Sequence, residues 1–141
     1  MNAEFLTEDG LKSLDLQTEW SEETTKVFLD ISTYMNNGNI YVSIVSEEEG
    51  YLEPYADLTV NFDETLPSYH AYIDVNNLST AEEFIRENGL GEPTGKVKLS
   101  GFCSYPLYKF NEDRLKEVCK KGIEAYENTL SEMFSIKKHI R

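Results

Sequence analysis

"KVFLDISTYMNNGNIYVSIV", Lys26 to Val45, decides the fold. Val27, Leu29 and Ile31 alternate with Phe28, Asp30 and Ser32, which is the two-residue repeat of a strand with one buried face. Ile40, Val42 and Ile44 repeat the pattern after Asn36-Asn37-Gly38-Asn39. Asn-Gly between alternating apolar runs is a strong hairpin signal, because both residues tolerate positive φ.

Working outward, Glu47, Glu48, Glu49 and Gly50 read as a wider turn into a third strand. In that strand Ala56, Leu58, Val60 and Phe62 face one way, and Tyr55, Asp57, Thr59, Asn61 and Asp63 the other. His70 to Val75 reads as a fourth strand, with Ala71, Ile73 and Val75 inward and His70, Tyr72 and Asp74 outward. "STAEEFIRENG" opens a short helix at Ser79 or Thr80, with glutamate three residues on and Gly89 as its stop. The following Gly- and Pro-rich segment reads as an ordered loop, after which Leu107 to Phe110 adds a short strand. Asn111 caps a long C-terminal helix whose stripe is Leu115, Val118, Cys119, Ile123, Tyr126, Leu130 and Met133. Gly122 weakens the middle of that helix, while Glu112 with Lys116 and Glu117 with Lys121 pair along its exposed side. Residues 2–23 read as one short helix interrupted near Gly10. The expectation is a single α+β domain over residues 1–141: an antiparallel meander of about four to five strands, with the long and the short helix packed on one face.

Charge is distributed unevenly. Residues 1–64 hold fifteen acids against Lys12 and Lys26, a balance of −13, whereas residues 65–141 hold eleven acids and eleven bases. No Lys or Arg lies between Lys26 and Arg86. Such a surface repels nucleic acid and anionic lipid and attracts basic proteins. In the expected sheet, Asp30, Tyr41, Ser43, Tyr55, Asp57, Thr59, Asp63, Tyr72 and Asp74 share the face away from the helices, which makes one surface acidic and tyrosine-rich. Absence of a secretion-like start and of an apolar run near the ~18 residues of a membrane span gives the cytoplasm as the expected compartment. Cys103 and Cys119 are expected as reduced thiols.

From Pro54 onward the chain resembles an uncharacterised family of small proteins on conjugative and other mobile elements of Gram-positive bacteria. The resemblance is carried by "PYADLTVNF" (Pro54–Phe62), "DVNN" (Asp74–Asn77), "AEEFIRENGLGEPTG" (Ala81–Gly95) and "SGFCSYPLYKF" (Ser100–Phe110). It supplies no activity, catalytic residue or cofactor. It implies a context, since accessory proteins of mobile DNA often blunt host defence systems such as restriction enzymes and CRISPR nucleases.

Several chemistries are weak on the residues alone. Glu47-Glu48-Glu49 and Glu53 lack the spacing of a calcium loop, and consecutive glutamates cannot all face one ion. Zinc would need clustered Cys or His, whereas His70, His139, Cys103 and Cys119 are scattered. Cys103 with His70 and Asp74 could form a nucleophilic constellation, against which stands the reading of Cys103 as a small buried hydrophobe. "GLGEPTG" lacks the ending of a phosphate loop and reads as a turn after a helix. Neither cofactor nor metal is expected.

The expected function is non-enzymatic inhibition of a bacterial DNA-defence nuclease, by an acidic surface that imitates nucleic acid in a basic groove. The expected contact residues are Asp30, Tyr41, Glu47, Glu48, Glu49, Tyr51, Glu53, Tyr55, Asp57, Asp63, Glu64, Tyr72 and Asp74. The expected partner is a basic nucleic-acid-binding protein, a CRISPR effector or restriction nuclease, with no direct contact to nucleic acid or membrane. Two alternatives are an accessory binding module that uses Gly89 to Tyr108, and an enzyme that uses Cys103.

Overall fold

The structure is a computed structural model and describes residues 11–140, with side chains through Met133. Its elements are β1 (Leu14–Gln17), β2 (Thr24–Thr33), β3 (Ile40–Glu48), β4 (Tyr51–Asp57), β5 (Thr59–Val60), β6 (His70–Ile73), α1 (Ala81–Glu87), β7 (Gly91–Ser100), β8 (Cys103–Phe110), α2 (Glu112–Val118) and α3 (Lys120–Ile140). The fold is α+β. The strands form two antiparallel four-stranded sheets, ordered β1-β2-β3-β4 and β5-β6-β8-β7, where one meander was expected.

The two sheets divide at Leu58. The expected third strand pairs with β3 as far as Asp57 opposite Ser43. Leu58 N–H then donates to Val42 O at 2.9 Å, and Leu58 O accepts from Asp74 N–H at 2.9 Å. One residue thus bonds both sheets, and its side chain is fully buried. Full burial of a leucine stabilises by about 1.5–3 kcal/mol. The hydroxyl of Thr59 accepts from Val42 N–H at 3.1 Å and reinforces the joint. Around it, Leu29, Ile31, Val42, Ile44, Ile73, Phe84, Phe110, Leu115, Ile123 and Tyr126 belong to one core drawn from both sheets and from α1, α2 and α3.

The Asn36–Asn39 turn does more than reverse the chain. Asn37 Nδ2 donates to Phe62 O at 3.1 Å, and Asn39 Nδ2 donates to Glu64 O at 2.8 Å and to Asn61 Oδ1 at 3.0 Å. The turn therefore clamps the 61–66 loop. Asn39 is buried, and these bonds offset the cost of taking its amide out of water.

Four local expectations are corrected. Residues 14–17 form a strand, where a helix was expected: Leu14 and Leu16 alternate into the core and pair with Val27 and Thr25. The part of that expected helix on residues 2–10 lies outside the described residues.

The segment 89–106, expected as a loop, is mostly a β-hairpin. Its strands meet at Gly101-Phe102, with Ser100 opposite Cys103. Positive φ at Gly101 (62°) but not at Phe102 is the pattern of a type II′ hairpin turn.

The long helix is two segments. Cys119 leaves helical geometry (φ −150°, ψ 64°) and bridges Leu11, while Lys12 N–H takes the Val118 carbonyl at 3.1 Å. The expected stripe still holds across the break: Leu115, Val118, Cys119, Ile123 and Tyr126 are buried, and Asn111 caps as expected by accepting from Arg114 N–H at 3.0 Å. Gly122 has a reason beyond propensity, since a Cβ there would lie 2.6 Å from Cys119 Sγ and 3.0 Å from Ile31 O. Glycine allows α3 to press against the backbone of β2.

Finally, Tyr72 and Asp74, expected outward, are both buried. β6 lies between β5 and β8, and the second sheet packs so that Asp74 caps a turn: its carboxylate accepts from Asn77 N–H at 3.3 Å and Asn77 Nδ2 at 2.9 Å.

Candidate functional site: the acidic hairpin

The β3–β4 hairpin is tighter than its sequence suggested. Glu48 pairs with Tyr51, so the loop is only Glu49-Gly50, with φ of 48° and 93°. Two positive φ values in a two-residue loop define a type I′ turn, whose twist matches the strands it joins. Opposed residues share a face. Ser46, Glu48, Tyr51 and Glu53 therefore lie on one side of the hairpin, with Glu47 and Leu52 on the other and Glu49 at the tip. The carboxylates encircle the end of the hairpin. None of Glu47, Glu48, Glu49 and Glu53 forms a salt bridge with a described residue. Tyr51 is 73% exposed and Tyr55 39%. A groove lined by Ser13, Lys26, Phe28, Glu47 and Tyr55 runs beside them, and Lys26 is the cation nearest the cluster in strand order.

A second acidic spot lies at the other end of the same sheet. Asp30, Ser43 and Asp57 occupy one rung across β2, β3 and β4. Ser43 Oγ donates to Asp57 Oδ1 at 2.8 Å, and Tyr41 Oη donates to the same oxygen at 3.0 Å. Two hydroxyl donors fix the orientation of that carboxylate. The Tyr41 ring stacks on Tyr34 with centroids 4.4 Å apart and planes within 1°. Tyr34 is pushed up to about 12, first by burial, against the lowering effect of its hydrogen bond with Thr59.

The remaining candidates fall elsewhere. Asp63 is exposed in the loop after β5. Glu64 belongs to the second sheet's surroundings: its Oε1 accepts from Tyr72 Oη at 2.9 Å and pairs with Lys98 Nζ at 3.3 Å. The Tyr72 hydrogen bond, then Lys98, hold its carboxyl below the usual range. Its charge is locally compensated. The single acidic face expected from the strand pattern is thus three separate places, and Tyr72 and Asp74 present no outer surface.

The Cys103 constellation does not assemble. His70 pairs across the sheet with Lys109, six positions along β8 from Cys103, which is about 20 Å at the rise of a strand. Asp74 is spent on its turn. Among the described residues no group of three or more His, Cys, Asp or Glu side chains could hold a metal ion.

A surface that the expectations had as an ordered loop is the β7–β8 arm. Phe102 at its tip is fully exposed, Leu99 is 78% exposed and Val97 56%. Their signal was present in "KVKLSGF", where Val97 and Leu99 alternate with Lys96 and Lys98 before a Gly-X turn. Pro93 and Gly95 concealed it. They sit at a register shift between Pro93 and Val97 that breaks the alternation.

Residues 28–130 match the model of the Domain of unknown function (DUF4313) family. The chain belongs to that family. No curated protein and no solved structure matches it. The DUF4313 segment contains the acidic hairpin, the Asp30–Asp57 rung and the arm, and leaves out β1 and the end of α3. Among the described residues no helix is long and apolar enough to cross a membrane.

Proposed function

We propose that this DUF4313 protein binds a basic nucleic-acid-binding protein through the β3–β4 hairpin and thereby inhibits a bacterial DNA-defence nuclease. The nuclease is a CRISPR effector or a restriction enzyme, met in the cytoplasm of a Gram-positive host of a mobile element. What carries the reading is the ring of Glu47, Glu48, Glu49 and Glu53, four carboxylates on one short hairpin with no salt bridge to a described residue. Duplex DNA places one charge per ~1.7 Å, and a groove of Lys and Arg built for it accepts carboxylates projecting from both faces of a narrow hairpin. Tyr51 and Tyr55 add exposed aromatic area of the kind favoured at binding hot spots. Asp57, oriented by Tyr41 and Ser43, and Asp30 offer a second, separate negative contact at the other end of the sheet. Asp63, exposed in the loop after β5, is a further acidic residue apart from both. Glu64, Tyr72 and Asp74 serve the fold and are not contact residues in this account.

The test is affinity capture on the immobilised chain from a Gram-positive lysate, with and without competing duplex DNA. The expected result is a nuclease that is displaced by DNA and by salt, and not retained by a variant with Glu47, Glu48, Glu49 and Glu53 all changed to lysine. Retention of that nuclease by the variant would show the hairpin to be the wrong surface.

A further inference from the structure

The chain carries two exposed surfaces of opposite charge, each at the edge of its own sheet. β4 is the outer strand of the first sheet and β7 the outer strand of the second. Residues 46–57 contain Glu47, Glu48, Glu49, Glu53 and Asp57 with no base, whereas residues 91–110 contain Lys96, Lys98 and Lys109 against Glu92 alone. Both surfaces also expose apolar side chains: Tyr51 and Leu52 on the hairpin, Val97, Leu99 and Phe102 on the arm. An exposed aromatic beside charge, Tyr51 with Glu48 and Glu53 or Phe102 at the tip of the arm, is the composition favoured at interaction surfaces. Among the described residues no hydrogen bond, salt bridge or ring contact joins the arm to the hairpin within one chain.

We propose that the arm docks on the acidic hairpin of a second copy of this chain, so that two copies exchange two equivalent contacts about a twofold axis. Phe102 at the tip of one copy's arm covers Tyr51 of the other, and Lys96, on the same face of the arm as Lys98, faces Glu48 and Glu53, which share the Tyr51 side of the hairpin. Reciprocal exchange gives a closed dimer, the commonest outcome for a self-complementary pair of surfaces. The contact is made by side chains. Pro54 in β4 and Pro93 in β7 lack the N–H that a continued sheet would use at those positions. Lys98 is partly committed to Glu64 and to the ring of Phe62, 5.4 Å from its ammonium, so Lys96 is the main charge on offer. The net charge of −13 opposes association at long range. At physiological ionic strength, however, that repulsion is screened beyond about 8 Å, while contacting charges still attract. The dimer hides the hairpin assigned to the nuclease, so nuclease and second copy would compete. The contact itself stands without the nuclease reading.

Sedimentation velocity of the full chain at rising concentration and physiological salt tests this. A monomer–dimer equilibrium is expected. Lys96→Glu with Lys98→Glu, and separately Glu48→Lys with Glu53→Lys, should each weaken it by about tenfold or more, equivalent to ~1.4 kcal/mol. Mixing the two variants should restore a heterodimer, because each then offers what the other lacks. Phe102→Ser should weaken the dimer without touching Glu64, which covers the case that the Lys98 change disturbs the fold. A monomer at every concentration overturns the proposal, even if the arm then captures some other acidic protein. So does a dimer that none of the variants weakens, or a variant mixture that stays monomeric.

Discussion

The Tyr69 hydroxyl donates to Glu127 Oε2 at 2.6 Å, joining the chain just before β6 to α3. The same residue is held at its backbone, where Tyr69 N–H donates to Tyr126 Oη at 3.0 Å, and the two tyrosine rings meet edge to face at 5.2 Å. The Tyr69 bond is the first cause that holds the Glu127 carboxyl below its usual range. A depressed carboxyl stabilises the fold above its unfolded pKa, and that contribution disappears as pH falls through the folded value. Glu127 is 38% exposed, so the effect is discounted for screening. Tyr69→Phe should cost about 1 kcal/mol at neutral pH and flatten the acid limb of stability. Denaturant midpoints measured from neutral to acid pH check this. Superimposed curves for the two proteins would mean that the pair contributes nothing.

Gly122→Ala discriminates packing from propensity. In an open helix the change stabilises by about 1 kcal/mol. Here the new methyl would strike the Ile31 carbonyl and Cys119 Sγ, and overpacking costs about 1–3 kcal/mol. A lower thermal midpoint is therefore expected. A higher one would show that α3 can lift from β2 without loss.

Glu49 occupies a left-handed position at the hairpin tip, where asparagine is better tolerated. Glu49→Asn should raise stability by up to about 1 kcal/mol while removing one charge from the ring. Under the proposed function it should also weaken nuclease binding. Stability and binding thus move in opposite directions, which a purely structural role for Glu49 would not produce.

Leu58→Ala removes the side chain at the joint between the sheets. A fully buried leucine lost to alanine costs about 2–5 kcal/mol. If the two sheets depend on this joint, both should unfold in one transition at a lower denaturant midpoint, read by far-UV dichroism and tyrosine fluorescence together. A change below about 1 kcal/mol would show that the site collapses to fill the space.

The parts legible in the sequence were those where one face is dry and the other wet. Lys26–Val45 and the Leu115–Tyr126 stripe carry that contrast, and both form the elements expected, although Phe28 and Val45 on the outer face are buried together under Leu11. The β7–β8 arm lacks it, because β7 is largely exposed on both faces and its bulge interrupts what alternation there is. The break at Cys119 was invisible for another reason: it depends on Leu11 and Lys12, more than a hundred residues away in the chain, taking up backbone groups at the helix junction. For the site, the acid of residues 47–53 was legible from composition. Its division was not, since strand parity alone cannot reveal that β4 and β5 belong to different sheets. Asp74 shows the consequence, an outward residue by alternation that a turn draws inside.

Under the proposed function, the β3–β4 hairpin occupies a basic groove meant for nucleic acid. The most direct measurement is fluorescence anisotropy of labelled DNA bound to a purified CRISPR effector or restriction nuclease captured by the chain, as the chain is titrated in. Wild-type protein should release the DNA, more effectively at low salt, and the protein with Glu47, Glu48, Glu49 and Glu53 changed to lysine should not. Equal release by that variant, or binding of the wild type with the DNA left in place, would contradict the account.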